Sequence, residues 1–246
     1  MTFRERHLSG PPLVLPNAWD AASARIIERA GAEAIATTSA GVAWSLGVPD
    51  GDRLDVDEAV AAVARIVRAV DVPVTADIES GYGDVARTVR LVRDAGAVGV
   101  NIEDGPVAAP ERIVAARAAA GDLFVNARID TFLASVGGVD ETVSRAKAYL
   151  DAGADGVFVP GVYDPEVIAE LVSRIPAPLN VMAGPGAPSV SELAGLGVRR
   201  VSVGPAIAAA AYSLVSAAAA EILADGTYDK SDAALTHGDL NAYFAH

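Results

Sequence analysis

RDAGAVGVNIED, residues 93–104, closes a helix-like run with a glycine turn and passes at once into a short apolar run ending in acids. Glycine suits a helix C-cap, where φ is often positive. The apolar run is too continuous for a half-exposed strand and reads as a buried parallel one. The same cadence returns in ERAGAEAIATTS (28–39), LDAGADGVFVPG (150–161) and AGLGVRRVSVGP (194–205). Working outward gives strand candidates at 13–18, 34–39, 72–78, 99–104, 123–130, 156–161, 179–183 and 201–205. Helical runs fall at 20–30, 57–70, 84–95, 110–120, 140–151, 164–175, 189–196 and 206–223, with caps expected at Asp140–Glu141 and at Asp164 before Pro165. Strand-then-helix order repeated this way predicts an α/β fold, a single (β/α)8 TIM-type barrel. A doubly wound open sheet would usually carry a glycine-rich phosphate loop after its first strand, and LVLPNAWD (13–20) does not resemble one.

No linker or compositional break interrupts residues 1–246, so they read as one barrel domain with 206–246 as a C-terminal helical segment and tail. The Ala-rich stretch 206–223 has little charge and is expected to be buried, against another subunit. Apolar residues make up 52% of the chain, enough for a large core. No apolar run is expected to reach the ~18 residues that span a bilayer, and the start lacks a secretory apolar segment. A cytoplasmic enzyme is therefore expected. The net charge of −13 argues against nucleic acid and against an anionic membrane as partners.

Scarcity narrows the chemistry. There is no cysteine, hence no thiolate nucleophile or thiolate metal site. The three histidines, His7, His237 and His246, lie near the ends, and of the two lysines Lys147 sits in an amphipathic run. A Ser–His–Asp triad or a Schiff-base lysine in the core is not expected. Carboxylate, arginine, metal and backbone chemistry remain.

Active sites of such barrels lie at the C-terminal ends of the strands. The third strand candidate runs into Asp77-Ile78-Glu79-Ser80-Gly81-Tyr82-Gly83. Alternation points Asp77 and Glu79 the same way and Ile78 toward the helices. Two carboxylates in one mouth need a cation, a proton or generous solvent. The fourth strand adds Glu103. Oxygen donors without histidine or cysteine favour Mg²⁺ or Mn²⁺ over zinc; otherwise these acids cap helices or pair with Arg128. The fifth strand carries Arg128, whose planar fork suits a substrate carboxylate, or else a structural ion pair with Glu103 or Asp130. The second runs into Thr37-Thr38-Ser39-Ala40-Gly41, small residues that let backbone N–H groups approach an anion. Loop 46–51 brings Asp50 over the mouth, or holds it as a turn aspartate.

In order along the chain, LPNAWDAASARIIERAGAEAIATTSAG (15–41), LGVPDG (46–51), DIESGYG (77–83), NIED (101–104) and NARIDTF (126–132) resemble the motifs of the isocitrate lyase/phosphoenolpyruvate mutase superfamily over nearly the whole chain. The resemblance implies Asp77 as direct metal ligand, with Glu79, Glu103 and Asp50 acting mostly through water. It implies Thr38, Ser39, Ala40 and Gly41 lining a pyruvate-like pocket, with Arg128 on the substrate carboxylate. It also implies an eighth helix exchanged between subunits of a dimer or tetramer. The sequence departs from the family at GPVAAPERIVAAR (105–117), which lacks the lyase branch's lysine–cysteine–glycine–histidine loop and the polar loop residues of the mutase and hydrolase branches.

The expected activity is thus Mg²⁺-dependent cleavage or decarboxylation of a small 2-oxo acid of oxaloacetate type. Catalysis is assigned to Asp50 and Arg128, and a metal-stabilised enolate carries the charge. Phosphonate chemistry (mutase or phosphonopyruvate hydrolase) and non-catalytic 2-oxo acid binding are the alternatives. Whether Asn180, Met182 and Tyr163 touch ligand is left open.

Overall fold

The computed structural model describes residues 2–245; Met1 and His246 lie outside the described residues. Every expected strand is present. β1 (Leu13–Leu15) and β2 (Asn17–Ala18) are two halves of the first, divided at Pro16, which has no N–H for the ladder. They are followed by β3 (Ile35–Thr37), β4 (Val74–Asp77), β5 (Gly99–Glu103), β6 (Phe124–Arg128), β7 (Gly156–Val159), β8 (Leu179–Met182) and β9 (Arg200–Ser202). All pairings are parallel, in the order β1-β9-β8-β7-β6-β5-β4-β3-β2. Because β1 and β2 flank one proline, pairing β1 with β9 and β2 with β3 closes the barrel. Asn17 seals that seam: its Nδ2 donates to Thr37 O (2.9 Å) and its Oδ1 accepts from Val203 N (2.8 Å).

The helices are α1 (Ala21–Arg29), α2 (Ser39–Ser45), α3 (Val56–Ala69), α4 (Val85–Asp94), α5 (Pro110–Ala120), α6 (Val139–Asp151), α7 (Pro165–Arg174), α8 (Val190–Gly195), α9 (Ala206–Ala224) and α10 (His237–Phe244). Glycines of the recurring turn take the left-handed conformation expected of them, as at Gly96 (φ 97°) and Gly153 (φ 102°). Asp164 caps α7 as expected, its side chain accepting from Glu166 N. The cap expected at Asp140 is corrected. α6 begins one residue earlier, with Gly138 at the cap position and no side-chain cap bond, and Asp140 instead pairs with Arg174 (2.6 Å).

Strand alternation sorts the side chains. Ile78, Val100, Ile102, Val125, Ala127, Val157 and Val181 face outward and are buried against the helices. Each of the valines and isoleucines contributes about 1.5–3 kcal/mol. Inward, the floor of the barrel is Phe3, Leu13, Leu15, Ala34, Ala36 and Phe124, with His7 stacked on Phe124 (centroids 4.0 Å, 15°).

Two further expectations, the end of the second strand and the absence of a membrane-length apolar run, are corrected. The second strand ends at Thr37, and the small residues after it form α2, which Thr38 caps by accepting from Gly41 N. α9 is not buried within the chain: Leu214, Val215, Ile222 and Leu223 are exposed and among its residues only Ala208 is buried. Its 19 residues are also long and apolar enough to cross a membrane by length and composition, against the expectation that no stretch would be. Part of the barrel wall beside the start of α9 is bare. Val14, the outward residue of β1, is 37% exposed. It opens onto a groove of about 730 Å³ lined in part by Pro11, Pro12, Ile27, Ala30 and Ile207.

Candidate active site

The acids gather at the C-terminal ends of β4, β5 and β6. Asp77, last residue of β4, points inward. Its Oδ2 accepts from the Ser39 hydroxyl (3.1 Å) and, at longer range, from Ser39 N (3.4 Å). Its own backbone N–H donates to Thr37 Oγ1 (2.8 Å). Ser39 is therefore placed against the mouth by α2, whose start Thr38 fixes; Ala40 and Gly41 are buried behind it. Gly41 is the tight point, since a Cβ there would come within 2.8 Å of Trp19 Cβ and 2.7 Å of Thr38 Cγ2. Among the described residues no arginine, lysine or histidine lies within ion-pair distance of Asp77.

Glu79 reaches the same mouth, but not by alternation. β4 ends at Asp77, and Glu79 adopts a left-handed backbone (φ 49°). It is nonetheless buried (2% exposed). Its carboxylate accepts from the Tyr82 hydroxyl (3.1 Å) and from the backbone N–H of Asp52. Asp52 in turn accepts from Tyr82 N (3.3 Å). Tyr82 and Asp52, also left-handed (φ 50° and 54°), are mouth residues that sequence reasoning missed. Both follow glycines, a signal of tight turns but not of their destination. Burial raises the pKa of Asp77 and of Glu79, and the charge of Asp50, exposed in the loop above, adds to it.

Glu103, last residue of β5, sits directly across from Arg128 of β6 in register. The two form an ion pair (2.6 Å). Arg128 also grips Asp130 with two further donors, Nε (2.7 Å) and Nη2 (3.1 Å). The structural ion-pair alternatives for Arg128 are thus both realised, and a substrate carboxylate would have to compete for its Nη1. Burial works against the Arg128 charge. Glu103, Asp77 and Asp130 outweigh it and hold the guanidinium above its usual range. Burial pushes the Glu103 carboxyl up to about 8, against Arg128, with Asp77, Asp130 and Glu79 adding repulsion. Asp77 and Glu79 are raised for the same first reason.

Beneath the rim, Asp104 anchors the ends of β5 and β6. Its Oδ1 accepts from Asp130 N (2.9 Å) and its Oδ2 from Arg145 Nη1 (2.9 Å) and the Tyr149 hydroxyl (2.6 Å). Arg145 also binds the carbonyls of Gly105 and Pro106 (3.3 and 3.0 Å), and the Tyr149 oxygen accepts from Ala109 N (3.0 Å). The short segment between β5 and α5 is therefore latched to α6 and offers the mouth no acid or base. Inside the barrel Asn180 belongs to a buried amide layer, Met182 lies against Gly204, and Tyr163 is on the surface.

Among the described residues no three acids converge closely enough to chelate one ion unaided. The donor set still fits a hard dication better than any alternative. The potential metal ligands facing the mouth are all oxygen donors, buried Glu79 and half-buried Asp77 and Glu103 repel one another there, and Asp77 has no protein cation at contact distance.

A sequence model described as phosphoenolpyruvate phosphomutase matches residues 3–223. An uncharacterized protein, Rv1998c, of Mycobacterium tuberculosis is 40% identical over 92% of this chain and 90% of its own. An oxaloacetate decarboxylase of Paraburkholderia xenovorans is 33% identical over 74% of this chain and 67% of its own. The solved structure of a phosphonopyruvate hydrolase in complex with oxalate and Mg²⁺ superposes with a TM-score of 0.84 at 27% identity, covering 98% of this chain and 92% of that one.

Proposed function

Because the chain belongs to the phosphoenolpyruvate phosphomutase family, within a superfamily of Mg²⁺-dependent lyases and mutases, we propose that it is a carbon–carbon lyase that decarboxylates a small 2-oxo acid of oxaloacetate type. The observation that carries this reading is a mouth in which Asp77 has no cation at ion-pair distance, flanked by Glu79, Glu103 and Arg128, beside a latched segment 104–109 that supplies no general acid. The relatives with oxaloacetate decarboxylase activity and with bound oxalate and Mg²⁺ support it.

Asp77 would hold the Mg²⁺ directly, with Glu79, Glu103 and Asp50 through water. The ion, when bound, would polarise the 2-oxo group. Arg128 orients the substrate carboxylate with the nitrogen now on Glu103, while Asp130 keeps the other edge of the guanidinium fixed. The Ser39 hydroxyl, one bond from Asp77, and the start of α2 place a donor near the 2-oxo oxygen, where charge develops. The bond to the departing carboxylate breaks, carbon dioxide leaves, and the electron pair remains as the enolate of the product. Water delivers the proton to that carbon. No cysteine or histidine is needed, and the mouth provides none.

The test is direct. Purified protein with Mg²⁺ should consume oxaloacetate and yield pyruvate well above the metal-only rate. Oxaloacetate and related 2-oxo acids left at their uncatalysed rates would end this reading. The family match itself favours one second reading, phosphonate chemistry at the same site; ³¹P NMR with phosphonopyruvate separates the two.

The bare seam supports an assembly of copies of this chain. A second copy's α9, carrying Leu214, Val215, Ile222 and Leu223, would cover Val14 and the groove beside it. This gives a dimer or tetramer, and it makes α9 an interface helix rather than a membrane span.

A further inference from the structure

Arg200 lies wholly inside the barrel. It is 1% exposed, and among the described residues no carboxylate lies within ion-pair distance of it. Its position in β9 sets it inward, opposite Leu13 on one side and Asn180 on the other. One donor, Nη2, reaches Asn101 Oδ1 (3.1 Å); Nε and Nη1 meet no protein acceptor. Asn101 stands beside Asp77 in the β4–β5 register and also accepts from Asn126, which binds Asn180. A rigid amide layer therefore links the buried guanidinium to the strand position next to the mouth. Burying an unpaired guanidinium is costly. Arginine does not escape that cost by losing its proton. Burial does pull its pKa down, to about 9, and Asp77 is what opposes this. The neighbouring His7, held neutral, adds no second positive charge beside it.

We infer that Arg200 is a positioning residue, the buried countercharge of the acid mouth. Fixed below Asp77 on the Asn101 layer, it offsets the repulsion among the mouth acids, weakens the mouth's hold on a cation and lessens its repulsion of an anion. As a statement about ligands it rests on the proposed function. As a statement about charge it does not, and the experiment separates the two.

The charge is read from a double-mutant cycle on the full chain without ligand, comparing wild type, Asp77→Asn, Arg200→Met and the double variant in urea unfolding. Arg200→Met should cost less stability in the Asp77→Asn background than in wild type, by roughly tenfold in the unfolding constant. Additive losses overturn the inference whatever the metal does. The ligand effect is read by calorimetry. Arg200→Met should bind Mg²⁺ roughly tenfold more tightly, and its Mg²⁺-loaded form should bind oxalate correspondingly less tightly. A purely structural role would weaken both together, and that result also overturns the inference. Arg200→Lys should keep both affinities near wild type. If Arg200→Met does not fold, Arg200→Gln against Arg200→Lys gives the same comparison. Coupling in the cycle with no Mg²⁺ binding by wild type would keep Arg200 as the countercharge and sink the proposed function instead.

Discussion

His7 offers a perturbation whose size the structure sets. Its Nδ1 faces the Phe3 carbonyl (2.9 Å) and must carry the ring proton, because a carbonyl only accepts. Nε2 is then bare, buried and without a partner. The ring stacks on Phe124 and meets Phe3 edge-on (4.9 Å, 75°). A second proton would bury an N–H⁺ with no acceptor. Burial first, then the Arg200 charge, hold the imidazole down to about 4 from its ordinary 6.5. The unfolded chain takes up that proton as pH falls through about 6.5, whereas the folded chain refuses it until about 4. The native state therefore loses relative stability between these values and is unaffected above them. At ~1.4 kcal/mol per pH unit over the 2.5 intervening units the full loss is about 3.5 kcal/mol, of which about 3 kcal/mol is reached by about pH 4, where the folded imidazole is half protonated. Acids elsewhere also titrate there, so the observable is the difference between wild type and His7→Phe in urea unfolding, followed from about pH 7.5 to about pH 4. Wild type should lose about 3 kcal/mol more than the variant. Parallel curves, or the His7 imidazole itself titrating near 6.5 by NMR, would refute the buried, neutral assignment.

Other outcomes follow from the same contacts. Asp77→Asn should abolish Mg²⁺ binding by calorimetry while leaving the fold intact by circular dichroism. Retention of tight Mg²⁺ binding would move the metal elsewhere. Tyr149→Phe removes a donor from buried Asp104 and orphans Ala109 N, costing about 2–4 kcal/mol in urea unfolding; a change under ~0.5 kcal/mol would show that the latch on 104–109 contributes nothing. Arg128→Met strands Glu103 and Asp130 and should weaken oxalate binding by about a hundredfold or more. Val215→Asp with Leu223→Asp should convert an oligomer to monomers by light scattering. A wild-type monomer would instead leave α9 and the bare seam at Val14 unexplained.

The architecture was legible because its signals are local. Glycine after a helix, a β-branched run after the glycine, and an acid or arginine at the run's end each act over a few residues, so the strands and most helices fell where the pattern put them. Asp77, Glu103 and Arg128 were legible too, as inward residues at strand ends. Glu79 was found for the wrong reason: alternation stops with the strand, and a left-handed turn delivers it to the mouth. α2 was missed since Thr38-Ser39-Ala40-Gly41 has weak helix propensity and depends on a cap and on packing against Trp19.

Sequence alone determined the period, hence the barrel, and the scarcity of histidine, lysine and cysteine, hence oxygen-donor chemistry. Only tertiary structure decided which charges meet. Arg128 lies between Glu103 and Asp130, Arg145 latches a segment some forty residues away, and Arg200 is sealed below Asp77 although its neighbour Arg199 reaches the surface loop at Gly10. The two adjacent arginines read identically in the chain. Their fates differ because a strand sends successive side chains to opposite faces, and only ring closure makes one of those faces an interior from which water, and its screening, is excluded.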